Sequence, residues 1–554
     1  MSSNSEAGRF PTYSREASRE AFACGGIAIV LSVILALFGP QGSDMAAHAY
    51  QRALFLEHGF SLWNNYWYAG HYSFITYSLL YYPLAAVLGI RLLAVLTVTM
   101  GAFLFAVVTW REWGSTARWA SRTFAIVWVG ILLSGAFPFA LGVALALLAL
   151  AALQVRTQRR FVVLAVLTLA ASPLAFALLT LFTVGVAVGK RVDISAAATP
   201  AVALAILGSV ELVLWRIFPD SGRYPFSKAD LVASSAFSLA GAALLWRIER
   251  ARTLCMVLVV YGLACVVVFF IPSALGSNIT RLQYVALPIA VLVASLRSWR
   301  PVPVCVLAFA LAATWNIKPL ARSISQDAKN VAANQAYWQP AIDYLDLHPN
   351  PSYRVEAVDT VGHWPAQFLP AAGIPLARGW FRQDDFPANT LLYHHLSARQ
   401  YRAWLRALGV RYVLLSSAQP DYSAIREAAL LRSGRSGLHV VFRSSNLTVL
   451  EVPRPTGIVT GRGGASVVRF SQTRLVLRLA RSGRYRLAVR YSPYWHISAG
   501  CMFGRHDGLS EVVAPRPGQV VVSFDVDAGR ALAAFVGKAG RTCAADAERV
   551  PAGR

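Results

Sequence analysis

Asp44, His48, Gln51 and Arg52 recur at helical spacing within QGSDMAAHAYQRALFLEHGFSLWNNYWYAGHYSFITYSLLYYP, residues 41–83. Ser43 or Asp44 can cap a helix running to about Glu57. On that helix the four side chains share one face, at i, i+4, i+7 and i+8. A carboxylate there can deprotonate a hydroxyl that attacks an activated carbon, and partial burial raises its pKa and strengthens it as a base. Arg52 suits phosphate, which a guanidinium binds well. The plainer alternative makes Asp44 a helix cap and His48 a surface residue. The aromatics that follow, Trp63, Tyr66, Trp67, Tyr68, Tyr72, Tyr77, Tyr81 and Tyr82, together with His71, read either as a belt at a membrane surface or as a platform for sugar rings.

Other polar residues lie in apolar surroundings. Arg281, in GSNITRLQY, sits at the mouth of an apolar run, where it can clamp a phosphate or reach to lipid headgroups. Glu211 lies inside the run 196–218 and is expected to pair with Arg216. Arg223, Tyr224 and Lys228 lie in the loop Pro219 to Asp230, and can line a site or simply be exposed. The irregular block GHWPAQFLPAAGIPLARGWFRQDDFP places His363, Arg382, Asp384 and Asp385 where a long loop can hang over a site.

The elements that must position these residues are membrane spans. The 554-residue chain is 56% hydrophobic and only 14% charged, against roughly 25% for ordinary soluble domains. Its apolar runs are near the length that crosses a bilayer core. This excludes an ordinary cytosolic enzyme, a disordered chain and a disulfide-rich miniprotein. Net charge is +25, and of 52 basic residues five are lysine and 47 arginine, a bias typical of a GC-rich bacterial genome. Much of that charge lies between apolar runs, so topology explains it better than nucleic acid, and no nucleic-acid partner is expected.

Basic clusters at Arg111/Arg118/Arg122, Arg156/Arg159/Arg160, Lys190/Arg191, Arg247/Arg250/Arg252 and Arg297/Arg300 should all be cytoplasmic by the positive-inside rule. Even numbers of crossings must then separate them. The stretch 73–89 is apolar, but a crossing there would invert the first cluster, so it is expected to stay on the outer side. The expectation is a polytopic α-helical membrane protein with about 11 spans. A cytoplasmic N-terminus (1–20) precedes a transmembrane domain (21–317) whose first outer loop is 40–90.

Beyond it, residues 318–554 hold 30 basic and 16 acidic residues. YRVEAVD, Val410–Leu415, His439–Phe442 and Leu447–Val452 read as strands; Ser397–Leu408 and 421–432 read as helices. That predicts an exoplasmic α/β domain at 318–453. From 454 to 554 strands alternate with Gly- and Pro-rich turns, as in a β-sandwich. Cys501 and Cys543 are one even pair that fits a disulfide in an oxidising compartment.

A first span, an outer loop opening with Asp44 and His48, then W…WYAGH…YYPL before the next span, resembles the integral-membrane glycosyltransferases of the GT-C class. It is most similar to bacterial members with a C-terminal exoplasmic domain. The likeness covers residues 20–317 as architecture and 42–83 as motif, with echoes at GAFPFALG (135–142) and GSNITRL (276–282). It implies a GT-C-like fold in the bacterial plasma membrane. It also implies transfer of a sugar from a polyprenyl-phosphate donor to a cell-envelope glycan, lipid or protein acceptor, with inversion.

In that reading Asp44 is the base and His48 orients the acceptor or phosphate. Arg52 and Arg281 bind the donor phosphate, and Trp63, Trp67, Tyr68 and His71 bind acceptor or sugar. Many class members carry a second acid; here Met45 follows Asp44 and residues 134–142 contain none, which argues against a divalent metal. No other cofactor is indicated. Membrane lipid is the remaining partner. A non-enzymatic transporter or lipid-handling scaffold of envelope assembly is the alternative. No GxxxxGK[ST], HExxH or GxSxG motif is present.

Overall fold

A computed structural model describes residues 15–219, 222–327 and 330–537. The chain enters through α1 (Arg15–Phe38), whose 24 residues rise roughly 36 Å, enough to cross an apolar core of about 30 Å. α2 (Met45–His58) follows, then a two-stranded hairpin of β1 (Trp63–Asn64) and β2 (His71–Tyr72). The stretch 73–89 contains only α3 (Tyr81–Leu88), eight residues and about 12 Å, too short to cross. Gly89, at φ +78°, separates α3 from α4 (Ile90–Trp113).

Next come α5 (Arg118–Val127), α6 (Ile131–Ser134), α7 (Phe137–Gln154), α8 (Gln158–Ala171) and α9 (Pro173–Lys190). α10 (Ile194–Ile217), α11 (Lys228–Leu245), α12 (Arg252–Phe270), α13 (Ala286–Leu296) and α14 (Val302–Asp327) complete the bundle. Among the described residues nine segments are long and apolar enough to cross a membrane. Two of the eleven expected runs are not among these nine. α8 has 14 residues, because Ser172 must be extended before Pro173. α5 and α6 continue from α4 through two 3-10 turns and join it in one 45-residue stretch, Ile90–Ser134.

The helix ends sort onto two faces. On one, Glu20 accepts from Arg122 at 2.7 and 2.9 Å, and Lys190 donates to Glu112 at 2.6 Å. There too Trp113 donates to the Arg250 carbonyl, Arg250 to that of Leu296, and Arg297 to that of Leu244. The basic clusters therefore lie together. On the other face the Leu79 and Leu80 amides bond Ala170, and the Tyr224 amide bonds Ser273.

That second face carries the C-terminal region. α15 (Gln335–Asp346), β3 (Arg354–Ala357), α16 (Pro365–Ala371), α17 (Ala398–Ala407), β4 (Val410–Ser416), α18 (Ile425–Arg432), β5 (His439–Arg443) and β6 (Leu447–Glu451) form an α/β unit. Its sheet runs β3-β4-β6-β5, with β3 and β4 parallel and the rest antiparallel. α17 opens with a full capping box between Ser397 and Gln400.

The remaining strands are β7 (Val459–Thr460), β8 (Ala465–Phe470), β9 (Arg474–Leu479), β10 (Gly483–Arg490), β11 (Trp495–Ile497), β12 (Cys501–Gly504), β13 (Leu509–Ala514) and β14 (Gly518–Phe524). They make two antiparallel sheets, β12-β13-β10-β7 and β11-β14-β9-β8, which share a core of Leu475, Leu477, Leu487, Val512 and Val522. α19 (Ala528–Phe535) closes the described chain. Cys501 is disulfide-bonded, while Cys543 lies outside the described residues.

Candidate active site

The head of α2 is pinned before any side chain acts. The Ser43 amide donates to the Leu133 carbonyl at 3.0 Å and the Asp44 amide to Ser134 at 3.2 Å. Gly135, at φ +72°, packs so close that a Cβ would lie 2.8 Å from the Asp44 nitrogen. Only glycine satisfies both constraints. Asp44 occupies the N-cap position, yet its side chain does not cap its own helix. Its Oδ1 accepts instead from the Trp380 indole N–H at 3.1 Å, 336 residues along the chain.

Asp44 opens on a cavity of about 920 Å³ between the bundle and the α/β unit. One wall is apolar, from Phe139, Leu174, Leu212 and Trp215 of the bundle. The opposite wall is polar, with His363, Arg382 and Asp421 of the α/β unit. Arg281, Tyr77 and Tyr224 lie between. Burial pushes the Asp44 carboxyl up, and the charges of His363 and Arg281 and the bond from Trp380 offset this only in part.

The 3-10 run Gly276–Val285 presents Arg281, whose guanidinium stacks 5.3 Å from the Phe139 ring centroid. His363 sits at φ +57°, a backbone state uncommon for a non-glycine residue. Its Nδ1 lies 2.7 Å from Asp359 Oδ2. Burial alone would lower the His363 pKa, but the Asp359 carboxylate outweighs it and raises it.

Arg382 donates to Asp421 Oδ1 at 2.7 Å and to the Tyr393 hydroxyl at 3.2 Å. Burial alone would raise Asp421, but the Arg382 and His363 charges and bonds from Ser423 bring it down to about 2. The cavity therefore joins a carboxylate suited to base work with cations able to hold a phosphate.

The residues singled out in the sequence divide. Asp44 and Arg281 meet at the cavity, joined by Tyr224, His363 and Arg382. His48 lies behind it, with Nδ1 3.2 Å from the Tyr82 hydroxyl and its ring among Tyr77, Tyr81, Phe137 and Trp380. Burial pushes its imidazole down to about 3, so it is neutral at pH 7. Arg52 is not brought to the cavity. It donates to the Ala85 carbonyl at 2.7 Å and to that of Ala86 at 3.3 Å, at the end of α3. The Ala85 carbonyl also accepts the Gly89 amide at 2.9 Å, so Arg52 adds a second donor at the end of the helix.

Trp63, Trp67, Tyr68 and His71 are buried, with at most 4% of their surface exposed. Trp63 stacks on Phe524 of the sandwich, 5.0 Å between centroids. Trp67 donates to the Ala366 carbonyl at 2.9 Å, and Tyr68 to that of Gly379 at 3.0 Å. His71 stacks on Trp67, and burial followed by the Arg490 charge pushes it down to about 3. These side chains join the first loop to the C-terminal units.

Glu211 lines the cavity instead of pairing with Arg216, which donates to the Phe535 carbonyl. Five residues on a helix place the two about 140° apart. Sequence reasoning missed Trp380 and Asp421. Trp380 lies in the GWFRQDDFP block already marked as irregular, and its spatial partner could not be read from that block. No group of three or more His, Cys, Asp or Glu among the described residues is placed to hold a metal.

Two solved structures of the arabinofuranosyltransferase AftD from mycobacteria are similar to this chain. One is 17% identical with a TM-score of 0.44, covering 78% of this chain and 40% of that one. The other, a mutant form, is 19% identical with a TM-score of 0.47, covering 79% and 42%. This chain thus spans less than half the length of those chains. No family model matches it, and neither does any curated protein.

Proposed function

We propose that this protein is a GT-C-type glycosyltransferase. It transfers a sugar from a polyprenyl-phosphate donor to a cell-envelope acceptor on the exoplasmic side of the bacterial plasma membrane. The observation that carries the reading is Asp44, held by Trp380 at the head of α2, opening on a cavity with an apolar bundle wall and a charged C-terminal wall. A donor with a lipid tail, an anionic phosphate and a polar sugar needs an apolar and a charged wall beside one carboxylate.

In this reading Asp44 takes the proton of the attacking acceptor hydroxyl, and direct displacement inverts the anomeric centre. Arg281 holds the phosphate as it leaves. His48, neutral and packed behind Asp44, keeps the head of α2 in place. Residues 318–453 and 454–554 act as two exoplasmic domains, the first of which closes the site from above. The basic clusters gathered on the far face support a cytoplasmic assignment for that face.

The test incubates purified protein with a panel of polyprenyl-phosphate sugars and envelope acceptors, wild type beside Asp44→Asn. Transfer by the wild type, reduced roughly 10²- to 10⁴-fold in the variant, supports the reading. Equal transfer by both removes Asp44 from the chemistry. Passage of the lipid-linked sugar across a vesicle with no glycosidic bond formed favours a transporter instead.

A further inference from the structure

A second cleft opens at the far end of α7, 18 residues from the catalytic cavity and on the face that gathers the basic clusters. It measures about 570 Å³ and lies between the last turn of α7 and the first turns of α8. Its walls are Val155, Val163 and Leu164, of which Val155 and Val163 are 46% and 59% exposed. Arg111, Arg159 and Arg160 surround it. Arg111 is committed in part, donating to the Ala151 carbonyl at 3.1 Å at the end of α7.

Arg159 and Arg160 are exposed and make no ion pair with a described residue. The acid of the adjoining cluster, Glu112, is taken by Lys190 at 2.6 Å and by Thr253 at 3.0 Å. Thr157, at the N-cap of α8, donates to the Ala152 carbonyl and makes no cap bond to the first-turn amides.

An apolar cleft with exposed walls, edged by two guanidinia that make no ion pair with a described residue, is complementary to an anion that carries a hydrocarbon chain. Arginine suits the phosphate, and basic pockets between spans on the positive side of a bundle hold such headgroups. We propose that this cleft binds a membrane phospholipid with an anionic headgroup. Arg159 and Arg160 hold its phosphate, and an acyl chain lies along Val155, Val163 and Leu164. The site is independent of the transfer reaction proposed above.

The test is native mass spectrometry of the full chain, released from micelles holding equal amounts of phosphatidylglycerol and phosphatidylcholine with identical acyl chains. The wild type should retain the anionic lipid on the order of tenfold over the zwitterionic one. The double substitution Arg159→Gln/Arg160→Gln should bring the ratio near one, while Arg159→Lys/Arg160→Lys should keep most of it. Arg247→Gln, in a different cluster of the same face, should leave it unchanged.

Millimolar inorganic phosphate should not displace the lipid; displacement would mean the site reads phosphate alone and would overturn a lipid site. Equal retention of both lipids by the wild type, or a preference that survives the Gln pair, would also overturn it. Both arginines are exposed, and a thermal melt of the Gln pair matching the wild type verifies its fold. If that melt fails, the Lys pair decides: its loss of preference would count against the site.

Discussion

The head of α2 and the β1–β2 hairpin belong to one loop, and both carry side chains suited to a sugar substrate. Asp44 and the nearby Tyr77 open on a large cavity. Trp63 and Trp67, about twenty residues on, are sealed under Phe524 and the Ala366 carbonyl. The first end meets the C-terminal units across a gap bridged by the Trp380 bond; the second meets them in close packing. Exposed-looking aromatics at a membrane surface can therefore be the seat for another part of the chain as readily as a ligand platform.

The contrast can be broken from either end. Asp44→Asn should lower turnover roughly 10²- to 10⁴-fold with an unchanged melting curve. Trp67→Ala should do the reverse. It removes a fully buried ring and should cost about 3–5 kcal/mol of stability in denaturation, with any activity lost in proportion to unfolded protein. Soluble-sugar binding that disappears in a folded Trp67 variant would restore the platform reading.

The two arginines sharpen the same comparison. Arg281→Gln should raise KM for the lipid-linked donor about 10- to 100-fold. Arg52→Gln should leave KM unchanged, because its bonds go to the end of α3. Equal effects on KM would mean that both reach the donor.

The smallest effect is expected at Trp380. Asp44 must be ionised to act as a base, and burial raises its pKa. Its acid limb of activity should therefore lie above that of an ordinary carboxylate, with activity falling as pH drops through it. Trp380→Phe keeps an aromatic ring but removes the N–H that favours the anion. The limb should move upward by roughly half to one pH unit. A downward move, or none, would separate Trp380 from Asp44.

Much of the scaffold was legible. The stretch Ser397–Leu408 read as a helix and is α17, and RLVLRL at 474–479 read as a strand and is β9. Local rules suffice there, because partners lie within a turn or alternate along one strand. Span counting was less direct: α8 is cut short by the Ser172-Pro173 break, and the hydropathy of 123–134 does not reveal that α4, α5 and α6 follow one another with scarcely a loop. Of the residues that meet at the cavity, Asp44 stood out by its place at a helix head and Arg281 by its isolation. Helical spacing put Arg52 on the face of Asp44, yet a long flexible side chain reaches carbonyls at a nearby helix end, here those of Ala85 and Ala86.

By itself the sequence determined a chain built to cross a membrane, the sorting of its basic clusters onto one side, and an acid at the start of a loop helix. These follow from composition and periodicity, which act over a few residues. Only the tertiary structure decided that Trp380 grips Asp44, that His363 and Arg382 supply the second wall, and that the loop tryptophans are buried. Those contacts join residues hundreds of positions apart, and only the packing of the C-terminal units onto the bundle selects which side chains are covered and which face the cavity.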